Sequence, residues 1–201
     1  MLSRLYSTSG NAAGSLSERI QFQQLEGARG PLAAVAAIAL GAAVLIGAGK
    51  ASGIRISTTD SAAPAGVYQI VGHQVRRGEL VAACLPITVA KLGLARGYLG
   101  SGDCPGHAEP VDKMVGALAG DLVDIEPGWV SVNGVRFPDS ATATRDSAGR
   151  PLAHDRWGRR RVAPGQAWLF GINDPRSWDS RYFGPVPLAN LRGELKPVVT
   201  W

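Results

Sequence analysis

Short blocks of apolar and polar residues alternate through most of the chain. GVYQIV at 66–71, ELVAACL at 79–85, KMVGAL at 113–118, DLVDIEP at 121–127 and QAWLFGI at 166–172 have the length and β-branched content of strands. A basic turn, RRG at 76–78, separates the first two. WVSVNGVRF at 129–137 places Asn133-Gly134 between two apolar runs, which predicts a tight hairpin. ITVAKLGLARGYLG at 87–100 is the one helical pattern of this region, with glycines to stop it. The chain from 51 to 201 therefore reads as one β-rich domain with a small helical insert.

One stretch breaks this rhythm. Pro31 to Gly49 reads PLAAVAAIALGAAVLIGAG, without a charge or an amide. As a helix it would extend roughly 28 Å, about the hydrocarbon thickness of a bilayer. Arg29 and Lys50 close it at either end, where long basic side chains reach headgroups. The expectation is one transmembrane anchor at 30–50, preceded by a polar tail at 1–29 and followed by the domain at 51–201. A cleaved leader and a buried core helix are the rival readings. The mixed charge of the long preceding tail argues against the leader, and the lack of a polar face against the core helix. Arg4, Arg19 and Arg29 before the span face Lys50 and Arg55 after it, so basic residues alone barely orient it.

Composition narrows the classes. Hydrophobic residues make up 45% and charged residues 18%, which excludes a disordered chain. The 26 Gly and 13 Pro favour strands and turns over a helical bundle. Two Cys and three His are too few for a structural zinc cluster, so no metal or cofactor is expected. Net charge is +5, but no helix-turn-helix or basic-aromatic interleaving accompanies it, so no nucleic-acid partner is expected. The run WGRRRV at 157–162 reads as a solvated basic loop. Both cysteines, Cys84 and Cys104, follow the apolar span and flank the helical insert. An even pair suits an oxidising compartment, as a disulfide stapling the insert; two buried thiols are the alternative. On this ground the domain is placed outside the cytoplasmic membrane.

The candidate chemistry starts from a lysine. In VDKMV at 111–115, alternation puts Val111, Lys113 and Val115 on one face. If that is the core face, desolvation lowers the amine's pKa and makes it a base; if the strand is an edge, Lys113 is simply solvated. A base needs a nucleophile, and Ser61 stands soon after the apolar span in a turn shaped by Pro64 and Gly66. Thr59, two residues earlier on an extended chain, shares its face and could join the Ser61 N–H in holding an oxyanion.

SAAP at 61–64, KMVGALAGD at 113–121 and SWDSRYFGPVP at 177–187 together resemble the three sequence boxes of type I signal peptidases. More narrowly, TTDSAAPAGVY, VAACLP, GYLGSGDCPG and NDPRSWDSRYFGPVP are similar to the conjugal-transfer (TraF-type) signal peptidases, from about Ile54 to Trp201. The resemblance implies a signal-peptidase/LexA-like catalytic β-domain. It makes Ser61 the nucleophile, Lys113 the general base, Thr59 an oxyanion donor and Ser177 the residue orienting the lysine. Asp179 and Arg181 match an ion pair that holds this wall together, the aspartate counting towards activity in the conjugal branch. Ala62 and Ala119 depart from the usual Met after the nucleophile and Pro before Gly-Asp.

By this resemblance the protein is a membrane-anchored serine endopeptidase with a Ser–Lys dyad. It would remove leader peptides from exported precursors such as a pilin, in conjugative transfer, by hydrolysis or with cyclisation. Its partners would be the precursor and the lipid bilayer. Two rival readings stand beside it. A self-cleaving LexA-type repressor shares the dyad but not the membrane span, and a catalytically inactive scaffold subunit of a conjugation or secretion apparatus would have no need of both Ser61 and Lys113.

Overall fold

The computed structural model describes residues 33–42, 53–58, 62–72, 74–171 and 174–201. The chain divides into two units, Met1–Gly49 and Lys50–Trp201. In the first, residues 33–42 are helical and exposed, as the apolar run predicts for this part. The remaining residues of the predicted span, 30–32 and 43–50, lie outside the described residues, as does the 1–29 tail. Among the described residues no helix is long and apolar enough to cross a membrane.

The second unit is mainly β. Its strands in chain order are β1 (Ile54–Ser57), β2 (Gly66–Val71), β3 (Leu80–Ala83), β4 (Val111–Leu118), β5 (Leu122–Glu126), β6 (Trp129–Val132), β7 (Val135–Arg136), β8 (Gly158–Arg161), β9 (Gln166–Phe170), β10 (Val186–Pro187) and β11 (Leu191–Thr200). Two helices join them, α1 (Ile87–Arg96) and the single turn α2 (Ser180–Phe183). Seven strands form one sheet in the order β1-β2-β11-β3-β4-β9-β10, and four form a second in the order β7-β6-β5-β8. All pairs are antiparallel.

Alternation along each strand decides which side chains make the core. In β4, Val111, Lys113 and Val115 are buried while Asp112 and Met114 are half-buried. Val81, Ala83, Leu85 and Ala90 join Val111, Val115 and Leu169 in one apolar cluster, which α1 covers. A second cluster packs Val123, Ile125, Val130 and Val132 of the small sheet against Trp168 and Phe170 of β9. β4 bulges between Val115 and Ala117, at Gly116. A Cβ there would stand 2.2 Å from the Phe170 ring, so only glycine lets the two strands close. At the β6–β7 hairpin Asn133 and Gly134 both take positive φ, 50° and 83°, as a two-residue turn matching strand twist requires.

Three features differ from the sequence reading. The helix predicted over 87–100 ends at Arg96, with Gly97 following in a left-handed conformation. The basic run at 157–162 is not a loop: Gly158–Arg161 is an edge strand paired to β5. Arg160 is tolerated on the inner side because its guanidinium lies 5.4 Å from the Trp168 ring centre and 2.6 Å from Asp155. β1 alternates, but with its isoleucines outward, and β10 and β11 carry no clean alternation. β11, LRGELKPVVT, holds a glycine and a proline and shifts register against both neighbours, yet it sits third in the large sheet.

Candidate active site

Lys113 lies on a central strand, opposite the fully buried Val81 of β3 and two residues from the equally buried Val115. The solvated-edge alternative is thereby excluded: Lys113 is 7% exposed. Burial lowers its pKa from the usual lysine range; Asp179, Asp112 and Asp174 oppose that shift, while Arg181 adds to it. A lysine so placed can be neutral at a pH where solvent-exposed lysines are charged, which is the state a proton acceptor needs.

The amine donates a 2.7 Å hydrogen bond to Ser177 Oγ, and Ser177 is 4% exposed. What holds Ser177 is the short string that follows it. Asp179 caps α2, accepting from the Arg181 N–H at 3.0 Å. Its carboxylate also receives Arg181 Nε and Nη2, both at 2.9 Å, and the Gly171 N–H beyond the end of β9 at 2.9 Å. Arg181 spends its remaining N–H groups on the carbonyls of Ala141, Pro175 and Ser177. Every donor of the guanidinium is thus used, the condition under which a pair this deeply buried is tolerated. Because one of those acceptors is the Ser177 carbonyl, the ion pair fixes the backbone that presents Ser177 Oγ to the lysine.

Lys113 and Ser177 line a cleft of about 580 Å³, together with Asp112, Arg55, Tyr98 and Trp178 among others. Trp178, inside the third box, meets Tyr98 with the ring centres 5.0 Å apart and the planes tilted by 56°. Tyr98 in turn donates to Asp146 at 2.6 Å, holding the insert to the 145–151 loop. Cys84 and Cys104 form a disulfide across the base of the insert that carries Tyr98.

Lys113, Ser177, Asp179 and Arg181 are therefore brought together, with Cys84 and Cys104 behind the cleft wall. Thr59 and Ser61 lie outside the described residues. Among the described residues no group of three or more His, Cys, Asp or Glu could hold a metal ion. Sequence reasoning passed over Arg55 and Asp112, which meet in an ion pair at the cleft edge. The alternation of β1 points the other way, since Ile54 and Ile56 are its exposed positions while Arg55 and Ser57 face inward.

Residues 30–201 match the family described as "Signal peptidase, peptidase S26". The chain is 36% identical over 172 residues to a plasmid transfer protein TraF of Escherichia coli, covering 85% of this chain and 96% of that one. It is 37% identical over 173 residues to a probable conjugal transfer protein TraF of Sinorhizobium fredii (strain NBRC 101917 / NGR234), covering 85% and 89%. A solved signal peptidase I from Enterococcus faecalis V583 aligns at a TM-score of 0.36 and 23% identity, over 61% of this chain and 97% of that one. A mainly β domain with an inward lysine held by a buried serine, and a match across nearly the whole domain, lead to one assignment: the chain belongs to the signal peptidase family, peptidase S26.

Proposed function

We propose that this protein is a membrane-anchored serine endopeptidase that removes leader peptides from exported precursors through a Ser61–Lys113 dyad. The observation that carries the reading is the Lys113 amine, buried among valines and hydrogen-bonded to Ser177 Oγ. In the proposed mechanism neutral Lys113 takes the Ser61 hydroxyl proton as the oxygen attacks the scissile carbonyl. Thr59 and the Ser61 N–H hold the developing oxyanion, an interaction often worth about 3 kcal/mol. Lys113, now protonated, returns the proton to the leaving amine, and an acyl-enzyme remains on Ser61. Water releases a linear product; an amine of the same substrate releases a cyclic one.

The apolar run at 31–49 would act as a single-pass anchor and keep the domain beside the periplasmic face, where leaders emerge. The TraF relatives, named for plasmid and conjugal transfer, favour a role in conjugative transfer, with a pilin precursor as the substrate. The test uses the full chain in detergent with a leader-bearing pilin precursor, followed by mass spectrometry. Cleavage by the wild type but by neither Ser61→Ala nor Lys113→Ala supports the reading, and a product lighter by one water identifies cyclisation. Equal behaviour of all three proteins overturns it in favour of an inactive scaffold subunit.

A further inference from the structure

The strand leading to Ser61 and the strand carrying Lys113 are far apart along the sheet. β1 reaches β4 only through β2, β11 and β3. That path is irregular, because β11 shifts register against β2 between Pro197 and Val199 and against β3 between Leu191 and Gly193. A ladder with two such shifts leaves slack between its ends. A side-chain contact takes the slack out directly. Arg55 Nε donates to Asp112 Oδ1, and Arg55 Nη2 donates to the Pro110 carbonyl at 2.5 Å. The two charged side chains are 18% and 9% exposed, so solvent screens the pair little. Ser57, on the same face of β1, hydrogen-bonds the same carboxylate. The sheet is therefore curled until side chains of β1 and β4 meet across it.

The placement of this tie in the sequence gives it meaning. Arg55 precedes Ser61 by six residues and Asp112 is the immediate neighbour of Lys113. We propose that Arg55 and Asp112 are positioning residues of the dyad, their ion pair setting the reach from the Ser61 segment to the Lys113 amine. This rests on the dyad reading given above. Neither residue handles the transferred proton; both act through the backbone of the two strands, and Asp112 also through its charge beside the Lys113 amine. Proton transfer and attack demand near-contact geometry, so a shift of about 1 Å at the nucleophile is enough to lower turnover roughly 100-fold. Substrate binding elsewhere along the cleft would be largely unaffected.

The test is a double-mutant cycle on the full chain in detergent, with an internally quenched peptide carrying Ala-x-Ala before the scissile bond. The proteins are wild type, Arg55→Gln, Asp112→Asn and the double variant, beside Ser61→Ala and Lys113→Ala. Each single variant is expected to lower kcat about 10- to 100-fold with KM changed by no more than about 3-fold, and the double variant to fall no further than the worse single one. Charge supplies a second readout. Lys113 is faced by Asp112, Asp174, Asp179 and Arg181. Removing the Asp112 charge moves the acid limb of the kcat profile to lower pH, which a purely structural loss would not do. If Arg55→Gln does not fold by circular dichroism, Arg55→Lys, which keeps the charge without the fork, takes its place. Single variants with wild-type kcat, or losses that multiply in the double variant, overturn the inference while Ser61→Ala and Lys113→Ala stay inactive. Activity surviving in those two controls would instead remove the dyad itself.

Discussion

Ser177→Ala removes one oxygen from the site and little else, so its effect can be worked from the geometry. The Lys113 amine loses a 2.7 Å acceptor that is itself 4% exposed. A hydrogen bond from a neutral amine contributes about 1 kcal/mol and one from an ammonium about 1.5–3 kcal/mol. The ammonium forms as Ser61 attacks, so the bond strengthens on the way to the transition state. The differential, about 0.5–2 kcal/mol, corresponds to about 2- to 30-fold in kcat, and the whole charged bond sets a ceiling of about 160-fold. KM is expected to stay within about 2-fold, since the mechanism gives Ser177 no substrate contact. The pH dependence has a definite sign. An ammonium with one acceptor fewer is harder to hold, so the Lys113 pKa falls further and the acid limb of the kcat profile moves to lower pH. Steady-state cleavage of a quenched peptide across the pH range, with circular dichroism as the folding control, reads all three quantities. Ser177→Thr, which keeps a hydroxyl, should retain most of the activity. Wild-type kcat in Ser177→Ala, or an acid limb moved to higher pH, would refute the argument.

Lys113→Met removes a buried amine whose charged form the site disfavours. The folded-state pKa lies below the unfolded one, so the wild type gains stability as pH rises from the folded pKa towards the usual lysine value near 10.4. Below that window the methionine variant should be the more stable, read as a higher Tm, and should lose its lead in alkali. Asp179→Ala leaves Arg181 buried at 1% exposure without its carboxylate and should cost about 3–5 kcal/mol in urea unfolding, with activity lost alongside. Replacing both cysteines by serine opens a loop with a sequence separation of 20 and should lower stability by about 3 kcal/mol; reductant should bring the wild type to the same value and leave the variant unmoved.

The legible and illegible parts of this protein divide along physical lines. The alternation in VDKMV put Lys113 on one face with Val111 and Val115 because period two is a local property, and β4 follows it from Val111 to Val115; whether that face met the core or solvent depended on β3 and β9 on either side. Asn133-Gly134 foretold a hairpin because few residues accept positive φ. The large sheet's third strand, β11, stayed hidden because its burial is set by β2 and β3 on either side rather than by its own composition. Arginines 159–161 read as solvated because charge was weighed without the aromatic ring and the carboxylate that take up Arg160. Ser177, Asp179 and Arg181 could be assigned only by resemblance. Nothing in the spacing of SWDSR reveals that a one-turn helix folds the arginine back onto its capping aspartate. The Arg55–Asp112 contact joins residues 57 positions apart and has no local signal at either end, the alternation of β1 pointing the wrong way.

The central claim is that Ser61 and Lys113 act as one unit. The most direct measurement is therefore single-turnover cleavage of a leader-bearing precursor by wild type, Ser61→Ala, Lys113→Ala and the double variant. Residues that work as a unit are non-additive, so all three variants should fall to one common residual rate, and acyl-enzyme should be detectable by intact mass in the wild type alone. A single variant that keeps substantial cleavage, or a double variant slower than either by the product of their losses, would contradict it.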